Sequence, residues 1–388
     1  MVETSIILPR GSRRKVADYE KLKFQEPFHR KPHRNLRRKF HCKPRSRMFH
    51  LTYRSYHRPF VQPLQTHHGA WKIRDGIIVQ LTNEADQVGW GEIAPVPAFG
   101  SETYEQALAF CQGCSEKITL EEILAIPPEL SACRFGFAAA WETLSDRHPL
   151  TPHPLTPHPP TPLLPDASST SRLLPTGAAA LQAWRPLWQQ GARTFKWKIG
   201  VASWSEEVQI LEQLMAALPA EVSLRLDANG GLSEAETLQW LHQCDRHSIE
   251  FLEQPLPPDQ FDTMLRLSQP FQTPIALDES VATFDQLQAC YTRGWRGIFV
   301  VKAAIAGFPF QLRDFCQQHS VDVVWSSVFE TAIAQSFIQQ SLIHPLQQSL
   351  IHPLQHSLIK PRAIGFGVNH WFTDDWHLLS PEQLWQNL

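Results

Sequence analysis

Between residues 194 and 326, short β-like runs alternate with longer stretches in which apolar residues recur every three to four positions. The runs are Thr194–Lys198, Val222–Asp227, Ile249–Glu253, Ile275–Asp278, Ile298–Lys302 and Val321–Ser326. The stretches with helical period cover 203–218, 233–245, 258–267, 283–292, 309–318 and 330–340. A short run followed by a helical stretch, repeated, predicts βα units laid into a parallel sheet. Two further strands complete the set, one near Arg172–Pro175 and a last one at Ala363–Gly365. Ahead of this region the pattern changes. Strand-like segments at Phe49–Arg54, Gly76–Leu81 and Val88–Ile93 precede helical stretches near 102–115 and 130–146, which predicts a separate α+β unit. The first two of these strands are expected to be joined through a loop at Thr66–Trp71.

Two tandem repeats interrupt the pattern. Residues 148–162 repeat a five-residue His-Pro phrase; proline at that density forbids helix and central strand and predicts an extended linker. Residues 341–361 repeat an eight-residue phrase with a proline in each copy, read as an expanded loop or a disrupted last turn of the preceding helix. The expected organisation is a basic extension over 1–47, a capping domain over 48–147 and a linker over 148–169. A barrel over 170–370 follows, with the insertion at 341–361, and a C-terminal segment over 371–388 packs toward the cap.

Charge sharpens the first boundary. Residues 1–47 hold 15 Lys or Arg against 4 Asp or Glu, within a chain whose formal net charge is −2. With no periodic apolar residues, that segment reads as a disordered basic arm, or as sequence lying ahead of a start at Met48. As an arm it would suit a partner or nucleic acid; the folded body carries the opposite charge, and no nucleic-acid role is expected of it. No run of 18 apolar residues occurs, so no membrane span is expected. The cytoplasm is the expected compartment, and the seven cysteines read as free thiols there.

Five charged residues end five of the predicted strands. Asp227, Glu253 and Asp278 follow one another at steps of 26 and 25 residues, with Lys198 lying 29 before the first and Lys302 24 after the last. Each step has the length of one βα unit, and side chains at the C-terminal ends of parallel strands converge on one mouth. Three carboxylates offer the hard oxygen donors that Mg2+ takes, and Mn2+ accepts the same set. A cation beside a substrate carboxylate stabilises the enolate left when the neighbouring carbon loses its proton. Lysine is the base available. Lys196 and Lys198, two apart on one strand, are expected to lower each other's proton affinity, with Lys198 as the base.

In their order, Lys196-Trp197-Lys198, Asp227-Ala228-Asn229, Glu253-Gln254-Pro255, Asp278-Glu279-Ser280 and Lys302 resemble the enolase superfamily, in its muconate-lactonizing branch. The resemblance runs from about Met48 to the C-terminus, interrupted by the repeats. It implies a modified TIM-type (β/α) barrel with an N-terminal α+β capping domain. Within the branch, Thr66-His67-His68-Gly69, Arg74-Asp75-Gly76 and Gly91–Pro95 through Phe99–Thr103 are similar to the cap of its o-succinylbenzoate-forming dehydratases. The implied reaction is metal-dependent syn-dehydration of 2-succinyl-6-hydroxy-2,4-cyclohexadiene-1-carboxylate, toward menaquinone or phylloquinone. By the same resemblance Lys198 moves the proton, Lys302 stabilises the intermediate by its charge, and Asp227, Glu253 and Asp278 hold the metal. His67, His68 and Gly69 close over the mouth, Asn229 contacts substrate, and Ser326, Ser327, Glu330, Gly365, Phe366 and Gly367 line the succinyl pocket.

The same two lysines suit an N-acylamino acid racemase, because 1,1-proton transfer needs a base on each side. Dipeptide epimerases tend to carry Asp-x-Asp after the eighth strand; this chain has Gly365-Phe366-Gly367 there.

Overall fold

A computed structural model describes residues 48–66, 69–144, 167–346 and 361–388. The basic extension, the His-Pro repeat, His67 and His68, and positions 347–360 of the second repeat lie outside the described residues.

The cap is an antiparallel sheet with strand order β3-β2-β1-β4, formed by β1 (Met48–Thr66), β2 (Gly69–Thr82), β3 (Val88–Ile93) and β4 (Lys117–Thr119). Helices α1 (Tyr104–Gly113), α2 (Leu120–Leu124) and α3 (Ser131–Leu144) complete it. Helices α1 and α2 start at capping boxes, Thr103 with Gln106 and Thr119 with Glu122, which satisfy first-turn N–H groups. Close contact between α3 and β3 requires glycine: a Cβ on Gly91 would lie 1.9 Å from the Gly136 carbonyl oxygen. The loop expected at Thr66–Trp71 is mostly strand, because β1 and β2 form one long hairpin whose register shifts between Pro59 and Leu64 and continues to the pair Thr66 and Gly69.

The barrel strands are β5 (Ser171–Leu173), β6 (Thr194–Lys198), β7 (Ser223–Asp227), β8 (Ile249–Glu253), β9 (Ile275–Leu277), β10 (Ile298–Val301) and β11 (Val323–Trp325). They run parallel in sequence order. Helices α4 (Ala180–Gln189), α5 (Trp204–Ala217), α6 (Glu234–Arg246), α7 (Phe261–Leu267), α8 (Phe284–Thr292), α9 (Pro309–His319) and α10 (Ala332–Ile338) alternate with them. Residues Ile364 and Gly365 bridge to Thr170 on one side and to Ser326 on the other, closing the barrel with a last strand of two residues. Phe251, Ala276, Ile298, Val300 and Val324 pack together as a buried cluster, the filled interior that barrels of this size require. The capped barrel expected from the sequence is therefore the observed architecture. Of the two forms expected for the second repeat, its start takes that of a disrupted last turn: α10 runs on through a π-helical turn at Gln339–Ile343.

Cap and barrel belong to one compact unit, Ser46–Leu388. Glu92, fully buried at the end of β3, joins them: its carboxylate accepts Tyr56 Oη at 2.6 Å, Thr331 N–H at 2.8 Å and Thr331 Oγ1 at 2.6 Å. Arg58 forks onto Asp374 at 2.7 and 2.6 Å. Trp376, Leu379 and Trp385 pack on Tyr56, Ile78 and Trp90 of the cap, together with Leu384 of helix α11 (Pro381–Asn387). Among the described residues, no helix is long and apolar enough to cross a membrane.

Candidate active site

Strands β6 to β10 are largely buried and mostly apolar, and most of their charged residues gather toward the C-terminal ends, with Arg225 in β7 and Glu250 in β8 paired to each other lower down. Lys198 and Asp227 face each other in the ladder, as do Asp227 and Glu253. A cavity of about 210 Å³ opens at these ends. Its charged wall holds Lys196, Arg225, Asp227, Glu253, Asp278 and Lys302, with Asn229 beside them.

The Lys196 ammonium sits between two of the carboxylates, 2.8 Å from Asp227 Oδ2 and 2.9 Å from Glu253 Oε1. Lys302 pairs with Asp278 and lies 4.0 Å over the Phe99 ring. Burial, reinforced by Asp227, pushes the Glu253 carboxyl up to about 7, and burial pushes Asp278 up to about 6 against the pull of Lys302. Burial would also raise Asp227, but Lys196 and, more weakly, Lys198 hold it below its usual range. The expected mutual depression of the two lysines fails for Lys196. Burial alone would lower its pKa, yet Asp227, Glu253 and Asp278 outweigh burial and hold it well above normal.

The backbone around these groups is strained. Asn229 and Gln254 have φ of 45° and 35°, a conformation that costs non-glycine residues about 1–3 kcal/mol. Gln254 repays this by position: its buried amide donates to Leu256 O and Ser280 Oγ, both at 2.8 Å, and accepts the Asp278 N–H at 2.9 Å. Asn229 donates to Glu279 Oε1 at 3.2 Å.

The other expected residues divide. Ser326, Ser327, Gly365 and Gly367 line the cavity. Glu330 does not; it lies beneath, accepting Ser327 Oγ at 2.8 Å and Val328 N–H at 2.6 Å, so it holds the turn that forms the wall. Phe366 is turned into the core, as alternation between two wall-forming glycines requires. Gly69 pairs with Thr66 in the hairpin. Lys198 is half-buried, two residues nearer the mouth than Lys196 and outside the wall itself; among the described residues it makes no ion pair. The pattern gave no signal for the apolar wall: Trp71 and Phe99 from the cap, Val328 and Phe329 after β11, and Trp371 from the C-terminal segment. Phe60, Trp71, Phe329 and Trp371 contact one another edge-on, with Phe60 and Trp71 centroids 5.2 Å apart.

Three buried carboxylates that already share ammonium groups form a donor set suited to a hard divalent cation. Among the described residues, no three His, Cys, Asp or Glu side chains are close enough in this arrangement to hold a metal ion; two carboxylates are turned to Lys196 and the third to Lys302.

The MenC N-terminal domain model matches residues 48–144, and the Enolase C-terminal domain-like model matches residues 178–358. The o-succinylbenzoate synthase of Thermosynechococcus vestitus is 40% identical over 343 residues, 87% of this chain and 98% of that protein. The chain belongs to the o-succinylbenzoate synthase family. A second family member, from Yersinia pseudotuberculosis, is 29% identical over 71% of this chain and 77% of its own length. The crystal structure of o-succinylbenzoate synthase from Thermosynechococcus elongatus, with magnesium in its active site, superposes with a TM-score of 0.73. It is 40% identical and covers 87% of this chain and 100% of that one. The fold extends beyond the family. A dipeptide epimerase from Methylococcus capsulatus superposes with a TM-score of 0.65 at 20% identity, covering 77% of this chain and 88% of that one.

Proposed function

We propose that this chain catalyses metal-dependent syn-dehydration of 2-succinyl-6-hydroxy-2,4-cyclohexadiene-1-carboxylate to o-succinylbenzoate, a step toward menaquinone or phylloquinone. The observation that carries the reading is 40% identity to an o-succinylbenzoate synthase through cap and barrel alike, over 98% of that protein. Magnesium is the favoured ion, as in the related crystal structure, with manganese accepting the same oxygens.

Asp227, Glu253 and Asp278 would hold the cation, which supplies positive charge to the substrate carboxylate and so steadies the enolate. Lys198, without an ion pair among the described residues, would take the proton from the carbon beside that carboxylate. The electrons of the broken C–H bond enter the enolate. As they return to the ring, the C–O bond breaks and Lys198 gives its proton to the departing hydroxyl, releasing water and the aromatic product. One lysine serving both steps on one face accounts for syn stereochemistry. Lys302, across the carboxylates on the loop after β10, would stabilise the enolate by its charge. Lys196 would offset the charge of Asp227 and Glu253.

N-acylamino acid racemisation is the second reading, favoured by the placement of Lys198 and Lys302 on either side of the carboxylates. Ultraviolet absorbance of the aromatic product, measured beside loss of optical rotation from an N-succinyl amino acid, separates the two. Dehydration should show the larger kcat/KM; racemisation alone would overturn the assignment.

A further inference from the structure

The last strand is the weakest join in the barrel. It holds only Ile364 and Gly365, bound through Ser171 N–H to Ile364 O (2.8 Å), Ile364 N–H to Ser169 O (2.9 Å) and Gly365 N–H to Trp325 O (2.7 Å). Yet Gly365 and Gly367 form part of the cavity wall. The chain also reaches this strand straight from a tandem repeat, so something beyond three backbone bonds must fix its height.

Arg362 is placed to do so. Its Nε and Nη2 donate to the two oxygens of Asp322 at 2.7 and 2.8 Å, and its Nη1 donates to Glu250 Oε1 at 2.8 Å. Glu250 also accepts Arg225 Nε at 2.7 Å and Nη2 at 3.2 Å, and Arg225 lines the cavity. Burial would raise the Glu250 carboxyl, but Arg225 and Arg362 hold it below its usual range, as strong pairing demands. Asp322 immediately precedes β11, Glu250 lies on β8 and Arg225 on β7. In the sheet order β9 and β10 separate β8 from β11, so no ladder bond can link these walls directly. The chain of alternating charge crosses the barrel instead, and forked arginine pairs are directional enough to set a distance.

We infer that Arg362 is a positioning residue for the active site: by tying the start of the last strand to β8 and β11 across the barrel floor, it sets Gly365 and Gly367 against the substrate. The clamp separates the wall from changes of length in the repeat before it. The inference rests on the dehydration proposed above only for its kinetic readout.

The test compares wild type with Arg362→Met and Arg362→Lys by hydrogen exchange and by dehydration kinetics. In Arg362→Met, amides of residues 363–368 should exchange about tenfold faster while those of β7 keep their protection. KM should rise about tenfold with kcat within about twofold, and Arg362→Lys should recover part of both changes. Unchanged exchange at 363–368, acceleration shared equally by β7, or an unchanged KM would overturn the role. Should Arg362→Met not fold, Asp322→Asn, which leaves Glu250 as partner, decides by the same two readouts. If the wild type makes no aromatic product, the reaction has been misassigned, and exchange alone still judges Arg362.

Discussion

The two sides of the cavity are built on different principles. On the charged side, Asp227, Glu253, Asp278 and Lys302 stand at or just past successive strand ends, with Lys196 two residues inside the end of β6. The uncharged side gathers Trp71 and Phe99 from the cap, Ser327 to Phe329 after β11, two glycines of the closing segment and Trp371. Its parts are up to 300 residues apart, from Trp71 to Trp371, and meet only through tertiary contacts such as the Glu92 junction. Under the proposed dehydration the first side would carry the chemistry and the second the substrate fit: removing a charged group should cost kcat, and disturbing the aromatic wall should cost KM.

The largest expected effect falls on Lys198, nearer the mouth beside the charged side. Lys198→Ala should lower kcat by about a thousandfold, the upper range for a single proton-transfer group, while circular dichroism and product binding stay as in wild type. Substantial residual turnover would remove Lys198 from the base role.

Glu330 probes the support beneath the uncharged side. Burial, reinforced by Glu92, raises its carboxyl from 4.5 to about 7. The folded chain therefore binds this proton more tightly than the unfolded one. Its contribution to stability is complete below about pH 4.5 and is lost as pH rises through about 7. Relative to Glu330→Gln, wild type should lose on the order of 3 kcal/mol across that window in denaturant titrations. Parallel pH profiles for the two proteins would contradict the assignment.

Smaller still is the effect expected at the aromatic wall. Trp71→Ala should raise KM about tenfold and leave kcat within about twofold. A fall in kcat with KM unchanged would break the division between the two sides. The smallest expected change, none, belongs to deletion of residues 1–47, which should leave kcat/KM at the wild-type value.

The same division governed what could be read from the sequence. The βα steps were legible because buried strands are short apolar runs and a charge at the end of each is conspicuous. Lys196 was misjudged because its partners are carboxylates on neighbouring strands, not Lys198 two residues away. Glu330 and Phe366 were expected in the wall, but backbone direction turns one beneath the turn and the other into the core. Helix α4 has Pro186 inside it, which hides its period, and Gly69–Trp71 extend β2 although nothing in their local pattern separates them from a loop. Phe329 adopts φ 64° only because its N–H reaches Ser327 Oγ at 2.9 Å and its ring enters the aromatic cluster, neither of which has a local pattern. The four charges from Arg225 to Arg362 likewise carry no periodicity that would pair them.

The measurement that tests the central claim most directly follows aromatic product absorbance from the cyclohexadiene substrate before chelation, after chelation and after magnesium is returned. Turnover should vanish with the chelator and recover with the ion. Product formation that ignores metal removal, or no product with magnesium present, would contradict a metal-assisted dehydration at this rim of carboxylates and lysines.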